Sequence, residues 1–158
     1  MTGRRVHLGA DHAGFELKGA LTARLLELGH EPVDHGPQEY DGADDYPPFV
    51  LRAAAAVAAE PGSMGIVLGG SGNGEAMAAN KVQGVRCALA HSEDTARLAR
   101  EHNDANVLSL GARMHEESAA VRMMEVFLAT PYSEDPRHTR RIAMLSSYES
   151  SGELPPLP

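Results

Sequence analysis

The feature that most restricts the fold of this chain is an uninterrupted apolar run at residues 64–68, Met-Gly-Ile-Val-Leu. A strand with one face in water alternates apolar and polar side chains, whereas a strand covered on both faces is apolar throughout. The run therefore predicts a buried central strand of a parallel sheet. A segment with four glycines among residues 69–74 follows it directly.

Short apolar segments alternate with helical patterns along the rest of the chain. The predicted strands are residues 6–10, 30–35, 64–68, 85–90 and 106–110, and the later helices are residues 92–101, 116–129 and 133–148. This alternation is typical of parallel strands joined by right-handed crossovers. We therefore predict a three-layer α/β/α, Rossmann-like fold with a five-stranded parallel sheet. Residues 1–148 are expected to form a single domain, and residues 149–158 a proline-rich tail.

Composition excludes several classes of function. The formal charge is −8, with 14 Lys and Arg against 22 Asp and Glu, so the surface repels the phosphates of nucleic acids. No apolar run reaches the roughly 18 residues of a membrane span, and residues 1–10 lack the apolar stretch of a signal peptide. The single cysteine, Cys87, has no partner for a disulfide. We expect a cytoplasmic protein that binds neither membranes nor nucleic acid.

Three segments are expected at the edge of the sheet where ligands bind. In open parallel sheets that edge is formed by the carboxyl ends of the strands. Asp11 and His12 follow the first strand, the glycine-rich segment follows the third, and residues 102–111 surround the fifth. The topology predicts that these segments converge on one site.

The glycine-rich loop, residues 69–75, is suited to an anion. Gly70, Gly72 and Gly74 let the backbone come close to a ligand, and the N–H groups of the helix that follows favour negative charge. Glu75 is either a functional carboxylate or an acid stabilised by the helix dipole, and Ser71 is either a functional hydroxyl or a turn residue. The loop matches neither the Walker A pattern nor the dinucleotide-binding pattern, so nucleotide binding is a weak alternative.

Other candidates have structural explanations as well. Asp11 could cap a helix, and His102 and Asn103 could end one. Arg137 and Arg141 are four residues apart, so on a helix they either grip a phosphate together or form a solvated charged face. Arg113 follows the fifth strand and is a further candidate for anion binding. No pair of histidines has the spacing of a metal site, so we predict no metal.

Several of these motifs together resemble the type B ribose-5-phosphate isomerases. The resemblance covers the chain in order to about Tyr148 and rests on residues 8–14, 69–75, 78–81, 100–106 and 137–141. The superfamily also includes galactose-6-phosphate, allose-6-phosphate and tetrose-phosphate isomerases. The resemblance implies conversion of D-ribose 5-phosphate to D-ribulose 5-phosphate without a cofactor, by a homodimer or dimer of dimers whose active sites lie between subunits.

The resemblance also implies roles for individual residues. One branch of the family has a catalytic cysteine where this chain has Ser71, so Glu75 is the expected base for proton transfer through an enediolate, with Ser71 in support. His102 is expected to open the sugar ring with help from Asp11, and Asn103 to lie near the reacting oxygen. The residues expected to bind the sugar phosphate are His12, Tyr46, Gly70, Gly72, Asn73, Gly74, Arg113, Arg137, His138 and Arg141. The alternatives are an isomerase of a tetrose or hexose phosphate, and a non-catalytic phosphosugar-binding protein.

Overall fold

Strands and helices alternate in the computed structural model, which describes residues 3–158. Its strands are β1 (Arg5–Ala10), β2 (Glu31–Asp34), β3 (Met64–Gly69), β4 (Cys87–Leu89) and β5 (Val107–Gly111). Its α-helices are α1 (Phe15–Glu27), α2 (Pro47–Ala59), α3 (Asn73–Ala79), α4 (Glu93–Asn103), α5 (Glu117–Ala129) and α6 (Pro136–Ser151). A short 3-10 turn at His12–Gly14 precedes α1.

The five strands form one parallel sheet, as the sequence predicts, and their order is β2-β1-β3-β5-β4. The fully apolar β3 lies at its centre, with every residue buried. β4 is shorter than predicted because it is an edge strand that pairs with β5 over three residues only. α6 extends past residue 148 to Ser151, beyond the expected start of the tail.

Two apolar clusters cover the faces of the sheet. The larger cluster includes Leu21 of α1, Ala99 of α4 and Phe127 of α5, which pack on one face. The smaller cluster joins Val50 and Val57 of α2 to Ala79 of α3 on the other face. α6 lies outside both clusters, and its only buried residue is His138. Among residues 3–158, no helix combines the length and apolar character required to cross a bilayer.

The register of the sheet aligns the carboxyl ends of its three central strands. Ala10 of β1 is opposite Leu68 of β3, and Gly69 is opposite Gly111 of β5. The chain leaves β1 for β2 on one side, whereas β3 lies on the other side of β1. The crevice where such connections diverge is the usual ligand site of a doubly wound sheet. The segments after β1, β3 and β5 therefore face one crevice.

Candidate active site

The glycine-rich loop after β3 is held in place by β5 and the segment that follows it. The carbonyl groups of Gly69 and Gly70 accept hydrogen bonds from the amides of Ala112 (2.7 Å) and Arg113 (3.0 Å). The buried Ser109 donates its hydroxyl hydrogen to the carbonyl of Gly72 at 2.7 Å. Gly72 has a φ of +81°, a conformation that favours glycine. These contacts fix the loop at the entrance to α3.

Glu75 projects from the first turn of α3 and is buried, with 4% of its surface exposed. Its carboxyl group lies against Gly69, where a methyl group would come within 1.9 Å of Oε1. Gly69 was not among the predicted site residues, although it is the first glycine of the loop. Its missing side chain leaves the space that the carboxyl group occupies.

The environment of Glu75 raises its pKa above the usual value for a glutamate. Burial is the main cause, and the negative charge of Asp11 adds to it, whereas a backbone hydrogen bond at Glu75 itself acts in the opposite direction. Burial therefore outweighs the effect of the helix start, a balance that the sequence leaves open. A carboxylate with a raised pKa is a stronger base and is suited to proton transfer near neutral pH.

Asp11 and His12 leave β1 beside this loop. Asp11 Oδ1 accepts hydrogen bonds from the amides of Ala13 (2.9 Å) and Gly14 (3.2 Å), so the predicted capping role is present. His12 Nδ1 lies 2.8 Å from Oδ1 of Asp44, a residue in the loop before α2 that the sequence does not single out. A carboxylate oxygen from each of Asp11 and Asp44 and a ring nitrogen of His12 lie within 4.8 Å of one another.

Tyr46 and Arg113 also lie at the loop. The phenol oxygen of Tyr46 is 2.6 Å from the position that a methyl group on Gly74 would occupy. A guanidinium nitrogen of Arg113 is 3.4 Å from the corresponding position on Gly70. Ser71 is exposed, and its Oγ accepts a hydrogen bond from the amide of Asn73 at 3.2 Å. The structure thus places together Asp11, His12, Tyr46, Gly70, Ser71, Gly72, Asn73, Gly74, Glu75 and Arg113.

His102 and Asn103 do not belong to this group within one chain, which corrects the expectation that residues 102–111 converge there. They end α4, which starts beyond the carboxyl end of β4 and runs back to the start of β5. The next residue, Asp104, lines a cavity of about 360 Å³ together with Arg4 and Met64, at the starts of β1 and β3. The six residues of β3 separate the amino-terminal and carboxyl-terminal ends of the strands by about 20 Å.

The basic cluster near the C-terminus lies with His102. His138 is buried and stacks on His102 with ring centroids 4.3 Å apart. Loss of hydration lowers the pKa of His138, and the charges of His102 and Arg137 lower it further. Arg137 and Arg141 are exposed on α6. These residues and Asn103 form a second group, in which the two exposed arginines carry the positive charge.

Each chain therefore carries two separate groups of predicted site residues. One is a glycine-rich loop with a buried carboxyl group of raised pKa, and the other is a patch of histidine and arginine side chains. The fold and the first group define a doubly wound α/β protein whose site can hold an anion and accept a proton beside it.

Comparison with known proteins narrows this class to one family. A family model described as Ribose/Galactose Isomerase matches residues 6–145. The chain belongs to the ribose/galactose isomerase family. Ribose-5-phosphate isomerase B of Mycobacterium tuberculosis is 55% identical over 158 residues, which cover 100% of this chain and 98% of the relative. The Mycobacterium leprae protein of the same name is 54% identical over the same length.

Solved structures of type B ribose-5-phosphate isomerases share the fold of this chain. The crystal structure of ribose-5-phosphate isomerase B from Mycoplasma genitalium with bound ribulose-5-phosphate superposes with a TM-score of 0.91 at 38% identity. The match covers 96% of this chain and 99% of that one. The type B enzyme of Trypanosoma cruzi gives a TM-score of 0.90 at 39% identity, covering 97% and 100% of the two chains.

Proposed function

We propose that this protein is an aldose–ketose isomerase that interconverts D-ribose 5-phosphate and D-ribulose 5-phosphate, with Glu75 as the base. The observation that carries the proposal is the buried Glu75 carboxyl group, whose pKa is raised, beside a loop rich in backbone amides. The relatives' names and the ribulose-5-phosphate bound to the Mycoplasma genitalium enzyme support the choice of substrate.

The proposed reaction moves one proton between adjacent carbons. Glu75 removes the proton from C2 of the open-chain aldose, and the electron pair of the C–H bond forms the enediolate. The same carboxyl group then returns a proton to C1 while the hydroxyl hydrogen passes from O2 to O1, which gives the ketose. Amide hydrogens of Gly70, Gly72 and Gly74 stabilise the negative oxygen, and such preorganised donors are worth about 3 kcal/mol each. Ser71 and Asn73 complete this loop.

The second group of residues is proposed to act on a neighbouring subunit's loop, in a homodimer or a dimer of dimers. His102 would open the sugar ring with Asp11, while Arg137, His138 and Arg141 would bind the phosphate beside His12 and Arg113. Two groups about 20 Å apart in one chain cannot contact one small sugar phosphate. Residues of α6 support an interface, because Met144, Leu145 and Tyr148 are 42%, 60% and 48% exposed.

The remaining parts of the proposal follow from composition. We propose that residues 1–148 act as one catalytic domain in the cytoplasm, with Cys87 as a structural thiol. Burial raises the pKa of Cys87 to about 12, so the reactive thiolate is disfavoured. The charge of −8 disfavours nucleic acid as a partner. The proposed ligand is instead a small phosphorylated sugar.

An isomerase of another sugar phosphate is the second candidate, because the family description names galactose beside ribose. The discriminating experiment compares turnover of ribose 5-phosphate, allose 6-phosphate and erythrulose 4-phosphate. We expect the highest kcat/KM for ribose 5-phosphate. Faster turnover of a hexose or tetrose phosphate would reassign the substrate.

The isomerase reaction itself is tested in deuterated water. Prolonged incubation with ribose 5-phosphate should give ribulose 5-phosphate with deuterium at C1, since the Glu75 proton exchanges with solvent. Glu117→Gln, an exposed acid in the first turn of α5, serves as the control and should behave like the wild type. Binding of the sugar without conversion would identify a phosphosugar-binding protein. Conversion without deuterium in the product would exclude the enediolate route.

A further inference from the structure

Asp44 makes two hydrogen bonds to a single residue 32 positions earlier in the chain. Its Oδ1 accepts the backbone N–H of His12 at 2.9 Å and lies 2.8 Å from the ring nitrogen Nδ1. The Asp44 side chain is only 9% exposed, whereas that of His12 is 24% exposed. The carboxylate is thus a buried support behind a histidine that remains open to the site.

The second oxygen of Asp44 has no hydrogen-bond partner among residues 3–158. Oδ2 is buried, and an unpaired buried polar atom of this kind destabilises the folded state. The side-chain hydrogen bonds that Asp44 does make go to His12, where Oδ1 holds both the backbone and the ring of that residue.

This contact determines which nitrogen His12 can offer to a ligand. An ionised carboxylate only accepts hydrogen bonds, so Nδ1 of His12 carries the hydrogen and Nε2 is left for the site. The ring of Tyr40 lies edge-on to His12 with centroids 6.3 Å apart.

We propose that Asp44 is a positioning residue for the isomerase reaction, which acts through His12. It holds the ring of His12 through Nδ1–H, so that Nε2 faces the bound sugar phosphate. This inference rests on the proposed function, because it assigns a role within that active site.

The first measurement is independent of turnover. Nitrogen NMR of the His12 ring in the wild-type protein, without substrate, reports its tautomer. We expect hydrogen on Nδ1 when the ring is neutral. In Asp44→Asn, which keeps the size of the side chain, part of the population should shift to hydrogen on Nε2, because an amide can donate to Nδ1 whereas a carboxylate cannot. Asp45→Asn is the matched control, since Asp45 is exposed and adjacent in the same loop, and should leave His12 unchanged.

The second measurement is a double-mutant cycle on kcat/KM for ribose 5-phosphate. Asp44→Asn should reduce kcat/KM about tenfold in the wild-type background and have almost no further effect in His12→Gln. Equal effects in both backgrounds, or a neutral His12 with hydrogen on Nε2, would overturn the positioning role. If the wild-type protein turned over no sugar phosphate, the proposed function would fail, and the tautomer would still be measured.

Discussion

The carboxyl group of Glu75 occupies the space where residue 69 would have a side chain if it were not glycine. A methyl group on Gly69 would approach Oε1 to 1.9 Å and Oε2 to 2.5 Å. Gly69 is the last residue of β3, and it cannot move away because its carbonyl accepts a hydrogen bond from the amide of Ala112. A rigid strand end thus determines where the proposed base lies.

Gly69→Ala should therefore impair catalysis more than folding. The new methyl group displaces the Glu75 carboxyl group, and a displacement of about 1 Å can cost about 100-fold in rate. We expect kcat to fall by about that factor in steady-state assays with ribose 5-phosphate. Gly19→Ala is the control, because the methyl group meets no atom within 4 Å and should stabilise α1 by about 1 kcal/mol. Equal activity of the two variants would contradict the packing argument.

Glu75→Gln should nearly abolish turnover while substrate still binds. The amide has almost the same shape, but it cannot accept the proton from C2, and loss of general-base catalysis typically costs 100- to 10,000-fold. Calorimetric titration with ribose 5-phosphate should show affinity close to that of the wild type. Normal kcat in this variant would remove Glu75 from its role as base.

The raised pKa of Glu75 should also appear in the pH dependence of stability. The folded protein holds a proton on this group more tightly than the unfolded chain, so the group's stabilising contribution is lost as pH rises through its raised pKa. Glu75→Gln should therefore raise the Tm at about pH 8 and change it little at about pH 3, where the wild-type group is protonated in both states. Calorimetry at both pH values tests this, and a lower Tm at the higher pH would contradict it.

A histidine pair formed by His7 of β1 and His35 just after β2 should make folding sensitive to acid. His7 Nδ1 lies 2.9 Å from His35 Nε2, and burial, followed by the charge of His7, lowers the pKa of His35. A lowered histidine pKa contributes stability above the unfolded value of about 6.5, and that contribution is lost as pH falls. His35→Gln should flatten the decline of Tm between about pH 7.5 and 5. The exposed His91→Gln should leave the decline unchanged.

Mixed dimers test whether two chains share each active site. Glu75→Gln and His102→Asn should each be nearly inactive. Co-refolding them in equal amounts should restore about a quarter of wild-type activity, since half of the dimers would contain one intact site out of two. Co-refolded Glu75→Gln and Glu75→Ala variants provide the control and should remain inactive. If the first mixture also stayed inactive, although mixed dimers formed, the shared site would be disproved.

The sequence alone predicted the fold and much of the candidate site, because the signals are local. The apolar run that became β3 can be buried only between two layers, and a glycine-rich loop before a helix indicates an anion site in any context. The residues between Gly70 and Gly74 could be proposed in this way, whereas the roles of Asp11 and Glu75 came from the family resemblance. No comparable signal marked Asp44, an aspartate in an acidic loop, and its importance depends on a contact with His12 across 32 residues.

Only the tertiary structure decided how the candidates are distributed in space. Within one chain His102 does not lie beside Glu75, although it precedes β5 closely, because a crossover helix runs antiparallel to its strands and returns the chain to the opposite end of the sheet. The sequence determined which chemical groups are present and the local structure around them. Burial, which raises the pKa of Glu75, and the separation of the two groups of residues depend on how distant segments pack, and that packing is a property of the whole fold.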